Sequence, residues 1–469
     1  MLRVSAVAEA AGIPTVSLIS QGFIGTARTT SLGLGMPDLA IALVLGHPDV
    51  QSAEELDANI VSTTLDAVVT GLTSAHSGMQ ITAEPESSGV VFEGTIDEIN
   101  RYFYENLWTD GLPIVPPTRE RIEAFLAFTD RKPDDVLGRM LPEKRAATIW
   151  NIAINGVMAG CRPEYMPLLV ALIEAMVDPK YGVEHSGNTP GAETQIVING
   201  PLIKELGFNY EQGALRDGFQ ANTSIGRFWR LCLSNITGFQ RHQNDKATFG
   251  NTFRVVLAEN EDVLAEIGWP TLGADMGQPS GGNSVFISRY TGAHVIVSVY
   301  GQSADELLPY LVDSVIKYTG WELLFTVGVA TGTYKPLLIL SPIIAKTIAR
   351  SGFSKLDVQH HLFENARISA QAFERYISGF TNGIPGKRSL YDLAALGKAP
   401  KIFGRSRDPN RLVPIVARPE DFQIAVSGDP LRTNCFFLSH NGVLGFPTAK
   451  PVQLPADWHI KLRQAADLG

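Results

Sequence analysis

Residues 151–178, NIAINGVMAGCRPEYMPLLVALIEAMVD, decide how the rest of the chain is read. Two apolar segments with helical spacing meet there at Gly160-Cys161-Arg162-Pro163. Glycine just past a helix end can take the left-handed conformation that stops the helix. Proline at the first position of the next helix gives up no hydrogen bond, because that N–H is unpaired there in any case. The spacing predicts a helical hairpin, with Cys161 at or just before the second N-terminus and Arg162 beside it. Helix dipole and guanidinium both favour thiolate, which makes Cys161 the expected nucleophile or redox thiol. The plainer reading is a small core residue in a helical corner, since free cysteine is commonly buried.

Outward from this hairpin, the chain alternates short apolar runs with amphipathic segments. Towards the front, 13–20 and 39–46 read as buried strands, and 54–72 as a helix with Leu56, Ile60, Thr63, Leu65 and Val69 near one face. Ser74–Ser88 is polar and irregular. Beyond the hairpin, strands are expected at 193–201, at 251–262, in NSVFISRY and AHVIVSVYG as two separate strands, at 322–329, at 337–341 and at 422–426. The fold class this predicts is α/β: Rossmann- or flavodoxin-like three-layer units around mixed or parallel sheets, the middle one containing the helical hairpin. The expected division is a partial unit at 1–75, a linker at 76–92, a middle domain at 93–330 and a C-terminal unit at 331–469.

Composition narrows the function classes. The 469 residues carry a formal net charge of −9 and no long run of lysine or arginine, so nucleic acid is not an expected partner. No stretch approaches the roughly 18 uninterrupted apolar residues of a membrane span, and no membrane partner is expected. Three widely spaced cysteines argue for a reducing, cytoplasmic setting rather than a disulfide framework. The scattered histidines form no CxxC or HExxH spacing, so no metal ligands are assigned. Neither GxGxxG nor GxxxxGK[ST] occurs, and no cofactor is named.

Polar groups instead collect at the ends of elements in the middle domain, where active sites of α/β proteins gather. Asp110 precedes a tight turn, Asn199 closes a strand, and Asn222 sits near the cap of the helix bearing Arg227. Glu259 ends a strand. Cys161, Asp110 and Glu259 are therefore the expected catalytic groups, the carboxylates moving a proton. Arg162, Asn199, Asn222 and Arg227 are the expected substrate-binding groups. Taken singly, each also fits a bland role as a cap, surface ion pair or solvated edge.

A resemblance adds to this reading. GIPTVSLIS (12–20), MPDLAIALVLGHP (36–48) and DAVVTGLT (66–73) resemble the C-terminal half of the UGSC family of (seleno)proteins, named for a selenocysteine-Gly-Ser-Cys motif in which cysteine often replaces selenocysteine. Residues 337–368 are similar to uncharacterised bacterial proteins that also carry TDGLPIVPPT, NGVMAGCRPEYMP and ANTSIGRFWRL, found here at 109–118, 155–167 and 221–231. The family name implies redox chemistry on a thiol or selenol. Met1 falls where the motif would lie, as expected if an upstream in-frame UGA were read as a stop. The expected function is a thiol-dependent oxidoreductase acting on a small polar or anionic molecule. Its alternatives are a non-catalytic component of a selenoprotein-type redox complex, as a homo-oligomer or with a redox partner protein, and a carboxylate-dependent hydro-lyase or hydrolase.

Overall fold

The computed structural model describes residues 2–74, 88–320, 322–323, 332–380, 389–442 and 445–468. Most of the expected 76–92 linker and all but the start of the expected 322–329 strand lie outside the described residues. The fold is mixed α/β.

Local chemistry accounts for the central hairpin. Helix Ile149–Ala159 starts at Thr148, whose side chain accepts from the Asn151 N–H, and stops at Gly160 with φ +78°. The Gly160 and Cys161 amides turn back to Val157 O and Gly156 O at 2.9 and 3.0 Å, pairing carbonyls the helix end would leave open. Arg162 caps a short 3-10 turn opened by Pro163, which runs into helix Met166–Val177. That second helix is apolar almost all round and is buried on nearly every side. Its one charge, Glu174, pairs with Arg131.

The strands are β1 (Ser17–Ser20), β2 (Ile41–Val44), β3 (Val136–Met140), β4 (Arg145–Thr148), β5 (Glu193–Asn199), β6 (Leu257–Ala258), β7 (Ser284–Ile296), β8 (Leu337–Leu340), β9 (Arg367–Ser369), β10 (Leu412–Pro414), β11 (Gln423–Val426), β12 (Cys435–His440) and β13 (Thr448–Pro451). The main sheet has the order β11-β8-β12-β7-β5-β6, with β13 also on β7. Strands from both sides of residue 330 share it, so the expected middle and C-terminal units do not separate there. NSVFISRY and the start of AHVIVSVYG lie on one continuous strand, β7, not two; it ends at Ile296. Its length lets β5 and β13 pair with its first half and β12 with its second.

Alternation along the strands sorts side chains into three cores. Val197, Leu257, Phe286, Leu337, Ala425 and Leu438, one from each of six strands, meet on the inner face with Leu272. Neighbours of opposite parity face outward: Ile196, Ile198, Val285 and Ile287 onto the hairpin and helix Gln220–Asn235, and Leu338, Leu340, Ile424 and Val426 onto the C-terminal helices. The sheet curls until its end strands meet, Asn260 N donating to Val426 O at 2.8 Å and Ser427 Oγ to Ala258 O at 2.8 Å.

At the front, β1 and β2 form a parallel pair under helices Leu2–Ala10 and Ile24–Gly33, with a small core of Leu2, Ala6, Ile19, Ala27 and Leu39. The expected 54–72 helix is present but interrupted by a π turn at Ile60–Thr64. The turn directs the Thr64 hydroxyl to Leu43 O at 2.8 Å and leaves Leu65 and Val69 exposed rather than packed.

Candidate functional site

Helix Gln220–Asn235 organises the site. Gly226 lies where the Arg254–Val255 backbone crosses it, and a Cβ there would overlap Arg254 O. Without that contact the chain leading into β6 could not lie against the helix, and Val256 N could not reach Asn222 O at 3.0 Å. One face of the same helix carries Gln220, Ser224 and Arg227 towards the hairpin elbow and the TDGLP loop.

Asp110 and Arg227, remote in sequence, are joined by two hydrogen bonds, Arg227 Nε to Oδ2 at 3.1 Å and Nη2 to Oδ1 at 3.0 Å. Nη2 also donates to Pro113 O at 2.8 Å, and Arg254 stands 3.7 Å from the same carboxylate. The Asp110 side chain is only 2% exposed. Its position beside cations agrees with a buried charged pair that holds the TDGLP loop on the helix.

Cys161 lies against this arrangement, with Ser224 as its hydrogen-bond neighbour and Arg227 as the nearby cation. The surroundings of Cys161 favour the thiol over the expected thiolate. Burial pushes the Cys161 thiol up to about 12, outweighing the Ser224 hydrogen bond and the Arg227 charge. Arg162 does not supply the expected charge: its Nε faces Glu164 at 2.8 Å, Nη2 donates to Leu206 O at 3.3 Å, and the guanidinium stacks over Tyr165 at 4.9 Å. Cys232 and Cys435 are also buried and unpaired, and burial raises both thiols.

Two other expected substrate ligands hold the fold together. Asn222 accepts from Asn209 N at 2.9 Å and donates to Asn209 O and Val256 O at 3.0 and 2.8 Å, which fills its amide with backbone contacts. Asn199 donates to Glu259 Oε2 at 2.6 Å and accepts from Gly273 N at 3.0 Å. Glu259 itself is fully buried. Leu272 N reaches its Oε2 at 2.7 Å and Val426 N its Oε1 at 3.2 Å, so this carboxylate stitches β6, β11 and the Leu272–Asp275 helix together. Burial raises its proton affinity against the pull of Lys355 and these donors. A proton-shuttling Glu259 is therefore replaced by a structural clasp.

Apart from Asn222, held on the Asn209 and Val256 backbone, the expected residues divide between two places. Asp110, Cys161, Arg162 and Arg227 gather at the hairpin elbow; Asn199 and Glu259 lie at the sheet closure. Beside the elbow a cleft of about 400 Å³ is lined by Arg162, Tyr165, Lys204, Glu205, Gln220 and Phe219 among others. Phe219 caps the 16-residue helix without a side-chain acceptor for its first amides. Lys204 and Gln220 line this cleft without any signal in their sequence spacing; only their positions around the elbow bring them together.

Fold and site define an α/β protein with a curled mixed sheet and a polar cleft at a helical elbow. Residues 2–74, the N-terminal unit built on β1 and β2, match the UGSC family. No match to the chain is found among curated proteins or solved structures. Among the described residues no helix is long and apolar enough to cross a membrane.

Proposed function

We propose that this chain is an enzyme that binds a small anionic substrate in the cleft beside the hairpin elbow. The carrying observation is the grouping of Arg162 and Lys204 about the start of helix Gln220–Asn235, whose first amides lack a side-chain cap. Helix N-termini favour anions, and an adjacent cation adds to the attraction. Lys204 is the cation that would change partner: it pairs with Asp262 at 2.6 Å, both side chains are more than half exposed, and exchanging Asp262 for a substrate costs little, whereas Arg162 keeps Glu164 at 2.8 Å and would add its charge from there.

The test is titration calorimetry of the intact chain with malonate, sulfate and phosphate. Saturable binding that the Arg162→Ala, Lys204→Ala double variant weakens at least about tenfold supports the reading. Equal binding by the variant removes it.

The class of reaction in this proposal, thiol-dependent oxidation or reduction, rests on the resemblance of residues 2–74 to the UGSC family; those residues hold no cysteine and the three cysteines of the chain are buried, so the reacting thiol would be supplied by the substrate or a partner protein. A cytoplasmic location fits three unpaired cysteines. The same family match favours a second reading, a component of a selenoprotein-type redox complex. Stable co-elution with a redox protein, together with absence of turnover alone, distinguishes it.

A further inference from the structure

Tyr165 stands at the elbow cleft with a hydroxyl that the anion reading leaves unused. The residue is 1% exposed, its ring lying against the Arg162 guanidinium at 4.9 Å and tilted to the Phe208 ring at 6.4 Å. Tyr165 lines the cleft, and its hydroxyl has no hydrogen-bond partner among the described residues. Nor is that oxygen sealed in the interior, as the unpartnered Tyr290 hydroxyl is. A tyrosine buried this deeply ordinarily gives its O–H to the protein; here the one open polar atom of a buried ring faces the cleft. Burial raises the hydroxyl to about 12 against the pull of Arg162, so it stays protonated and can donate at neutral pH.

The same lining carries a carboxylate among its cations. Glu205 ends the short helix Leu202–Glu205, and its Oε2 accepts from Trp458 Nε1 at 2.8 Å. Oε1 has no partner among the described residues. A substrate group that meets both residues must accept from the phenol and donate to the carboxylate. A keto oxygen has nothing to donate, and an ammonium has no lone pair to accept with and would stand among Arg162 and Lys204. A hydroxyl does both.

We infer that the elbow cleft takes a hydroxy carboxylate, its carboxylate at the first amides of helix Gln220–Asn235 with Lys204 and Arg162 about it, its hydroxyl accepting from Tyr165 and donating to Glu205 Oε1. The inference rests on the cleft being the anion site proposed above and names the class of molecule that fills it. Tyr165 and Glu205 then set specificity, while the helix start and the two cations attract any carboxylate.

The test is titration calorimetry of the full chain with D- and L-lactate, pyruvate, alanine and propionate, with malonate and phosphate run beside them. The first set shares one carbon skeleton and differs only in the group beside the carboxylate. One lactate enantiomer should bind at least about tenfold tighter than pyruvate, alanine or propionate, the worth of the hydrogen bonds its hydroxyl gains. Tyr165→Phe, which keeps the ring on Arg162, should bring that lactate down to the propionate level and leave propionate unchanged. Glu205→Gln keeps an oxygen for Trp458 and offers an amide N–H to the cleft, so it should shift preference from lactate to pyruvate; this variant keeps the test decisive if Tyr165→Phe does not fold. Lactate no tighter than propionate while malonate or phosphate still binds, or alanine or pyruvate tightest in the native chain, overturns the hydroxy acid and leaves the anion cleft standing. Either variant retaining the native preference for lactate also overturns it. No saturable binding of any of these anions removes the cleft reading and this inference with it.

Discussion

The Arg227 guanidinium closes on the Asp110 carboxylate through two side-by-side hydrogen bonds of 3.1 and 3.0 Å, bridging 117 positions of sequence. With Asp110 nearly sealed from solvent, the pair fastens the TDGLP loop to helix Gln220–Asn235, and the Arg227 charge is felt at Cys161. A planar fork meets a carboxylate in a way a single ammonium cannot.

Removing Arg227 takes both hydrogen bonds from a buried carboxylate and leaves it only the more distant Arg254 at 3.7 Å. Arg227→Ala should cost about 3 kcal/mol in urea unfolding. Arg227→Lys should recover only part of that, because it keeps the charge and loses the second hydrogen bond. Full recovery by lysine would show that charge alone matters.

Cys161 should resist alkylation. With its thiol near 12, roughly one molecule in 10⁵ carries thiolate at neutral pH. Iodoacetamide labelling followed by mass spectrometry at pH 7.5 should find all three cysteines protected in the folded chain and rapidly modified in urea. Fast native labelling of Cys161 would restore it as a primed nucleophile.

Glu259 should matter to stability more than to turnover. Glu259→Leu strands the Leu272 and Val426 amides and frees the two sheet ends, an expected loss of about 3 kcal/mol or more. Glu259→Gln keeps an acceptor oxygen and should lose clearly less. Chemical denaturation of both variants measures the difference; equal losses would deny the clasp its hydrogen bonds.

His440 should make stability fall in acid. It is fully buried, its ring bonded to Gly445 O at 2.8 Å, and burial holds it down at about 3. Its folded value is below the unfolded value of about 6.5, so between these the unfolded chain binds more protons. The contribution is complete above pH 6.5 and is lost as pH falls towards 3, several kcal/mol in all. His440→Asn should flatten unfolding free energy against pH in that window, as read by denaturation at stepped pH.

Gly226 should tolerate no side chain. Its missing Cβ lets the Arg254 carbonyl pass against the helix, so Gly226→Ala must displace backbone rather than a flexible side chain. The expected loss is about 3 kcal/mol or more, visible as a lowered thermal midpoint.

The elbow was legible from residues alone. Gly160 and Pro163 act through their own backbone chemistry, and the left-handed stop and proline start appear where the residues stand. The same holds for β1 and β2, where short apolar runs are bounded by breakers. Misreadings came where partners lie far off. The two strands expected at 283–290 and 293–301 give way to the single β7 because β5, β12 and β13 line up along it, which no local pattern in those residues announces. Asn222 and Glu259 were read as site groups because polar residues at element ends look alike whether they face a cleft or a backbone amide.

Sequence by itself determined the α/β alternation, the helical elbow and the placing of Cys161 at it, since glycine, proline and apolar periodicity act over a few residues. Tertiary structure alone decided the protonation of that cysteine, the closure of the sheet through Glu259 and the division of the polar residues between two places. The reason is desolvation: whether a charge is favoured depends on how much water remote segments exclude, and a helix end or a neighbouring arginine cannot offset complete burial.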